Sequence, residues 1–132
     1  MRYVLDTDTS ISIIRAKEPY LSRSQAESPA DLAISAMTLA ELHCGALRSQ
    51  DPTRATNSLQ AFLSGIIEVL PFDEGAAGIH ARFRDAIRSQ PIGDRDLVIA
   101  SMAAAHDLTL VTGNTREFGR LPGLKLEDWK ST

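Results

Sequence analysis

Four short apolar runs, each set apart from the next by helix-like sequence, constrain this chain most. Arg2-Tyr3-Val4-Leu5 stops at Asp6, and Asp31-Leu32-Ala33-Ile34-Ser35 comes second. Ile66 to Phe72 and Leu108-Thr109-Leu110-Val111-Thr112 follow, with Leu124-Lys125-Leu126 as a candidate fifth. Runs of this length bounded by polar residues read as strands. Between them, the apolar spacing predicts helices over 11–14 (behind cap candidates Thr7 to Ser10), 19–28, 37–49, 51–65, 73–89 and 94–106. Pro52 suits the first turn of the fourth of these. Strands alternating with helices require crossover connections, so the expected fold class is α/β with a mainly parallel sheet of four to five strands.

A chain of 132 residues, 43% hydrophobic and 23% charged, has material for one core, and no repeat or Pro/Gly-rich linker divides it. We therefore expect a single domain over 1–132. The lone Cys44 excludes an internal disulfide, and the three histidines lack zinc-site spacing. No apolar stretch is long enough to span a bilayer, so no membrane partner is expected. The N-terminus reaches Asp6 at once, which predicts no signal peptide and a cytoplasmic location. A net charge of −3 argues against a protein that coats nucleic acid. A local basic rim is still available in Arg82, Arg84, Arg88 and Arg95, with Arg116 and Arg120 as a second group.

In parallel sheets ligands bind outside the carboxyl ends of the strands. The residues there are Asp6 and Thr112-Gly113-Asn114. Asp6 ends an apolar strand, where a carboxylate needs partners or a metal. Glu41 on a helix shares a face with Met37, Thr38, Cys44 and Gly45, and Asp96 stacks over Ile99 and Ala100. Taken singly, Asp6 reads as a turn or helix cap and Asp96 as a first-turn acid favoured by the helix dipole. Gathered together, carboxylates repel by roughly 4 kcal/mol per close pair at an effective dielectric of 20. Such a cluster must take a proton or a cation, and all-oxygen donors suit Mg²⁺ or Mn²⁺. The chemistry this points to is metal-assisted phosphoester hydrolysis.

Four segments in order carry a resemblance: Leu5-Asp6-Thr7-Asp8, Ala40-Glu41-Leu42-His43-Cys44-Gly45, Pro91-Ile92-Gly93-Asp94-Arg95-Asp96 through Ala100, and Val111-Thr112-Gly113-Asn114-Thr115-Arg116-Glu117-Phe118. Together with Val69 to Asp73 and Leu121 to Trp129, they resemble PIN-domain ribonucleases, most closely the VapC-type toxins of bacterial toxin–antitoxin pairs. The resemblance implies a three-layer α/β/α PIN-like fold, a Mg²⁺-dependent endoribonuclease in which Mn²⁺ can substitute, a homodimer, and inhibition by a cognate antitoxin. It implies that Asp6, Glu41 and Asp96 are the acidic metal residues. At the fourth acidic position many PIN domains have Asp where this chain has Asn114, and Glu117, three residues on, can supply the charge. Cleavage of RNA, tRNA or rRNA, by metal-activated water would leave 5′-phosphate and 3′-hydroxyl ends.

The remaining polar residues carry two readings each. Thr7, Ser10 and Thr112 can position water or phosphate, or cap. Arg84, Arg88, Arg95 and Arg116 are candidate phosphate contacts. Asp8 and Asp94 read as helix caps, His43 and Cys44 as packing residues, and Trp129 as a core plug. Two rival functions use the same residues. Val4-Leu5-Asp6-Thr7-Asp8-Thr9 also resembles the motif of haloacid-dehalogenase-type phosphatases, with Asp6 as nucleophile. Loss of the acid at position 114 would instead leave a degenerate module that binds a basic partner segment.

Overall fold

The structure is a computed structural model that describes residues 1–130. Its first element is the strand β1 (Tyr3–Leu5), and chain order continues with α1 (Thr7–Ile14), α2 (Tyr20–Gln25), β2 (Leu32–Ser35), α3 (Ala36–Leu47) and α4 (Pro52–Leu63). Then come β3 (Glu68–Leu70), α5 (Glu74–Ala86), α6 (Asp94–Ala105), β4 (Thr109–Val111), α7 (Thr115–Phe118) and β5 (Leu126–Glu127). All four strand pairings are parallel, in the order β3-β2-β1-β4-β5. The α/β reading holds, and of the four to five strands expected the sheet has five.

Side chains alternate across the sheet, as the two-residue period of a strand demands. Val4, Ala33 and Leu110 face one core with Phe83 of α5, Leu97 and Ile99 of α6, and Phe118. Tyr3, Leu5, Leu32, Ile34 and Val111 face the other with Leu42 of α3, Leu59 of α4, and Trp129. Burial on both faces explains why β1 reads as an unbroken apolar run rather than an alternating one. The result is three layers, helix on sheet on helix.

Trp129 is fully buried, as the plug reading expects. Its ring meets Tyr3 edge-on at 5.6 Å between centroids, and its indole N–H donates to Glu127 Oε1 at 3.2 Å. Arg23 lies 5.0 Å above the Trp129 ring and donates to Glu127 at 2.9 Å, which ties the last strand to α2.

Several boundaries differ from expectation. The helix after β1 starts at Thr7 rather than Ile11, because Asp6 itself caps it. The cap is therefore Asp6 and not Asp8, which sits exposed in the first turn. Gly93, not Asp94, is the N-cap of α6, and no side chain bonds there. The strand expected over 66–72 pairs only over Glu68–Leu70, since Pro71 has no N–H to continue the ladder. The second helix stops at Gln25, and Ser28 caps a separate 3-10 turn, Pro29–Asp31. The fifth strand lies at Leu126–Glu127, later than the run 124–126. His43 and Cys44 are exposed, because the inward row of α3 is Thr38, Leu42 and Ala46.

Candidate metal centre

Register builds the site. Leu5 pairs with Ile34 on one side and Val111 on the other, so the next residues, Asp6, Ser35 and Thr112, stand abreast at the carboxyl edge of the three inner strands. All three are buried. Asp6 Oδ1 accepts the Thr9 N–H at 2.8 Å, which closes the open N-terminus of α1. Burial pushes the Asp6 carboxyl up, while hydrogen bonds from Thr112 and Thr9 pull it back and the nearby Asp8 adds to the rise.

Asp96 lies half-buried in the first turn of α6. Its carboxyl is raised too, first by desolvation and then by the charges of Asp6, Glu117, Glu41 and Asp8. Strand ends and helices far apart in sequence thus bring Asp6, Glu41, Asp96 and Glu117 into one electrostatic neighbourhood.

Glu41 comes from the middle of α3. Its Oε1 accepts the Thr7 hydroxyl at 2.6 Å, and its Oε2 stands 3.4 Å from Arg95 Nη1. Glu117 is held by the neighbour that replaces the missing acid: Asn114 Nδ2 donates to Glu117 Oε2 at 3.0 Å. The Asn114 backbone N–H donates to Thr112 Oγ1 at 3.0 Å. The amide at position 114 therefore orients the carboxylate three residues on.

The other sequence candidates divide. Thr7 is at the centre, with its hydroxyl on Glu41. Ser10 is fully buried and closed to a substrate, and its Oγ has no partner among the described residues. Thr112 is buried and serves Asp6 and Asn114. Arg95 reaches the cluster, whereas Arg88, in the turn after α5, pairs with Asp85 at the end of that helix. Arg84 and Arg116 are exposed. Sequence reasoning missed Thr9, Ser35, Thr38 and Tyr20. The signal for Ser35 was its place as the last residue of an apolar run, beside Asp6, which follows one. Tyr20 shows itself only in three dimensions, where burial and then the charges of Asp128, Asp6 and Asp8 raise its phenol.

The donor set is all oxygen and suits a hard divalent cation. Among the described residues no three acidic, imidazole or thiol groups stand close enough to form a ready cage. A divalent cation that binds one or two carboxylates and keeps several waters needs no such cage.

The raised carboxyls set a pH dependence. A carboxyl raised on folding keeps its proton in the folded state where the unfolded chain has lost it. Stability then falls as pH climbs from the ordinary value of 3.8 through the raised value, and stays lower above it. In chelator, the thermal midpoint should drop as pH climbs above the ordinary carboxyl value of 3.8, and by less in an Asp96→Asn variant. An equal drop in both proteins would remove the effect from Asp96.

A PIN-domain family model matches residues 3–124. The chain belongs to the PIN-domain family. Within it, the tRNA(fMet)-specific endonuclease VapC of Salmonella typhimurium is 37% identical over 132 residues, covering 98% of each chain. Ribonuclease VapC2 of Rickettsia felis is 36% identical over 134 residues with the same coverage. Among solved structures, DNA-bound VapBC from Salmonella typhimurium superposes with a TM-score of 0.90 at 34% identity, covering 98% of both chains. This PIN domain is thus of the VapC kind over nearly its full length. The phosphatase and degenerate-module alternatives find no support in these relatives. Of the lysines a phosphatase would need, Lys125 is paired with Asp107 at 3.0 Å.

Proposed function

We propose that this PIN domain is the toxin of a toxin–antitoxin pair, an endoribonuclease that uses Mg²⁺, with Mn²⁺ as a substitute, to hydrolyse RNA phosphodiester bonds. The observation that carries this is Asp96, whose carboxyl feels Asp6, Glu117 and Glu41 together. Asp6, Asp96 and Glu41 are the metal residues in this reading, and Glu117, oriented by Asn114, is the fourth acid. When bound, the ion supplies a Lewis acid that polarises the scissile phosphate and lowers the pKa of water beside it. The chain's own residues do the rest. Thr9 and Thr112 fix Asp6, Thr7 fixes Glu41, and Arg95 and Arg116, both exposed, would take substrate phosphates.

The Salmonella and Rickettsia relatives are named as a tRNA(fMet)-specific endonuclease and a ribonuclease, which supports RNA, with tRNA(fMet) first, as the substrate to test. The likeness to the Salmonella VapBC structure supports a cognate antitoxin as partner. Two grooves of about 500 Å³ and 400 Å³ share Ile14 and Ser58, and the smaller one reaches Glu41. Their apolar lining, including Ile13, Leu21 and Phe62, suits an antitoxin segment with an apolar stripe whose basic end reaches the carboxylates. A homodimer would cover the exposed Leu47, Ile67, Val69 and Phe72 at and near the edge strand β3. None of the described helices is long and apolar enough to cross a membrane, and a cytoplasmic site of action accords with an RNA substrate.

The test is cleavage of tRNA(fMet) and total RNA by antitoxin-free protein, with Mg²⁺ and with chelator. Discrete fragments with 5′-phosphate and 3′-hydroxyl ends, formed only with metal, are expected. Ends carrying 2′,3′-cyclic phosphate, or cutting in chelator, would overturn the mechanism.

A further inference from the structure

Three hydroxyls run from the buried end of β2 to Glu41. Ser35 Oγ lies 3.3 Å from Thr38 Oγ1, Thr38 Oγ1 lies 3.2 Å from Thr7 Oγ1, and Thr7 Oγ1 lies 2.6 Å from Glu41 Oε1. Proton counting fixes their direction. An ionised carboxylate only accepts, and each hydroxyl has one proton to give. Thr7 therefore donates to Glu41, Thr38 must donate to Thr7, and Ser35 must donate to Thr38. Ser35 Oγ in turn accepts the Thr38 N–H at 3.0 Å, so the chain ends on backbone. Ser35 and Thr38 are fully buried, and in that low-dielectric setting each donor polarises the next. The last contact has the short length of a charge-assisted bond.

We propose that Thr7 is a positioning residue that aims Glu41, with Thr38 and Ser35 as the buried remainder of one relay; this rests on the reading of Glu41 as a metal-site carboxylate. With Oε1 taking the Thr7 hydroxyl, the carboxylate is turned so that Oε2, the atom that Arg95 faces, is the oxygen with no bond from the buried hydroxyls. Thr7 fixes which oxygen that is, and Thr38, wedged in the core, fixes Thr7.

The experiment compares wild type with Thr7→Val, Thr7→Ser, Thr38→Val, Glu41→Gln and the Thr7→Val/Glu41→Gln double variant. Mn²⁺ affinity is read by electron paramagnetic resonance, and folding by thermal unfolding. Loss of a hydrogen bond that orients a metal ligand should weaken Mn²⁺ binding by about tenfold or more in Thr7→Val. Thr7→Ser should recover most of that affinity, and Thr38→Val should lose affinity in the same direction but less. In the Glu41→Gln background, Thr7→Val should add nothing. Unchanged Mn²⁺ affinity in a folded Thr7→Val protein would overturn the proposal, as would an undiminished effect of Thr7→Val without Glu41. A metal-free readout separates this failure from that of the metal reading. In chelator, the Thr38 hydroxyl proton should exchange slowly by NMR in wild type and rapidly in Thr7→Val. A protected Thr38 hydroxyl with no Mn²⁺ binding by wild type would sink the metal role of Glu41 and the aiming role with it, while leaving the relay as a structural bond.

Discussion

Asp96→Asn should cut RNA cleavage by about a hundred- to a thousandfold while raising the thermal midpoint of the metal-free protein. Each tenfold in rate corresponds to about 1.36 kcal/mol, and a metal ion at a phosphoryl oxygen contributes several kcal/mol. Removing a carboxylate that holds it forfeits much of that. The gain in stability has a separate origin. Asp96 keeps its charge against desolvation and against Asp6, Glu117 and Glu41, and the amide has almost the same shape without the repulsion. Kinetics on tRNA(fMet) with Mg²⁺, and thermal unfolding in chelator, check the two halves. A variant that is both inactive and less stable would show that Asp96 has a structural partner instead.

Trp129→Ala should lower the free energy of unfolding by about 3–5 kcal/mol. That is a large share of the roughly 5–15 kcal/mol that a domain of this kind holds. The indole is fully buried against Leu5 and its neighbours in the core, meets the Tyr3 ring edge-on, and lies under the Arg23 guanidinium. Truncation leaves a cavity beneath β1, the strand that leads into Asp6, and frees Arg23 from one of its aromatic faces. Denaturant unfolding of wild type, Trp129→Ala and Trp129→Phe measures it. A change below about 1 kcal/mol for the alanine would show that the C-terminal segment is not part of the cooperative core.

What could be read from the sequence was what depends on short spacing. Asp6 ends an apolar run, so its place at a strand terminus followed from the pattern. Glu117 follows Asn114 by three residues, which puts both in one short helical turn, and the hydrogen bond between them is what such spacing permits. Residues 34 apart are different: nothing in the order of the chain says that Thr7 meets Glu41, because that contact depends on where α3 packs against α1. The faces of α3 were equally hard to assign. Met37, Leu39, Leu42, Cys44, Ala46 and Leu47 ring the helix with apolar or weakly polar side chains, so periodicity does not single out Thr38, Leu42 and Ala46 as the inward row. Only the layer beneath decides it, and His43 and Cys44 fall outside.

The cap on α1 has a consequence for how this gene can drift. One oxygen of Asp6 closes the helix while the side chain's charge belongs to the acidic cluster. Asparagine and serine preserve the first role and abolish the second. Glutamate keeps the charge, but its extra methylene carries the carboxylate past the Thr9 N–H. Each of these three changes thus keeps one role and loses the other, and the variants that survive in a population without selection for activity will be those that keep the cap.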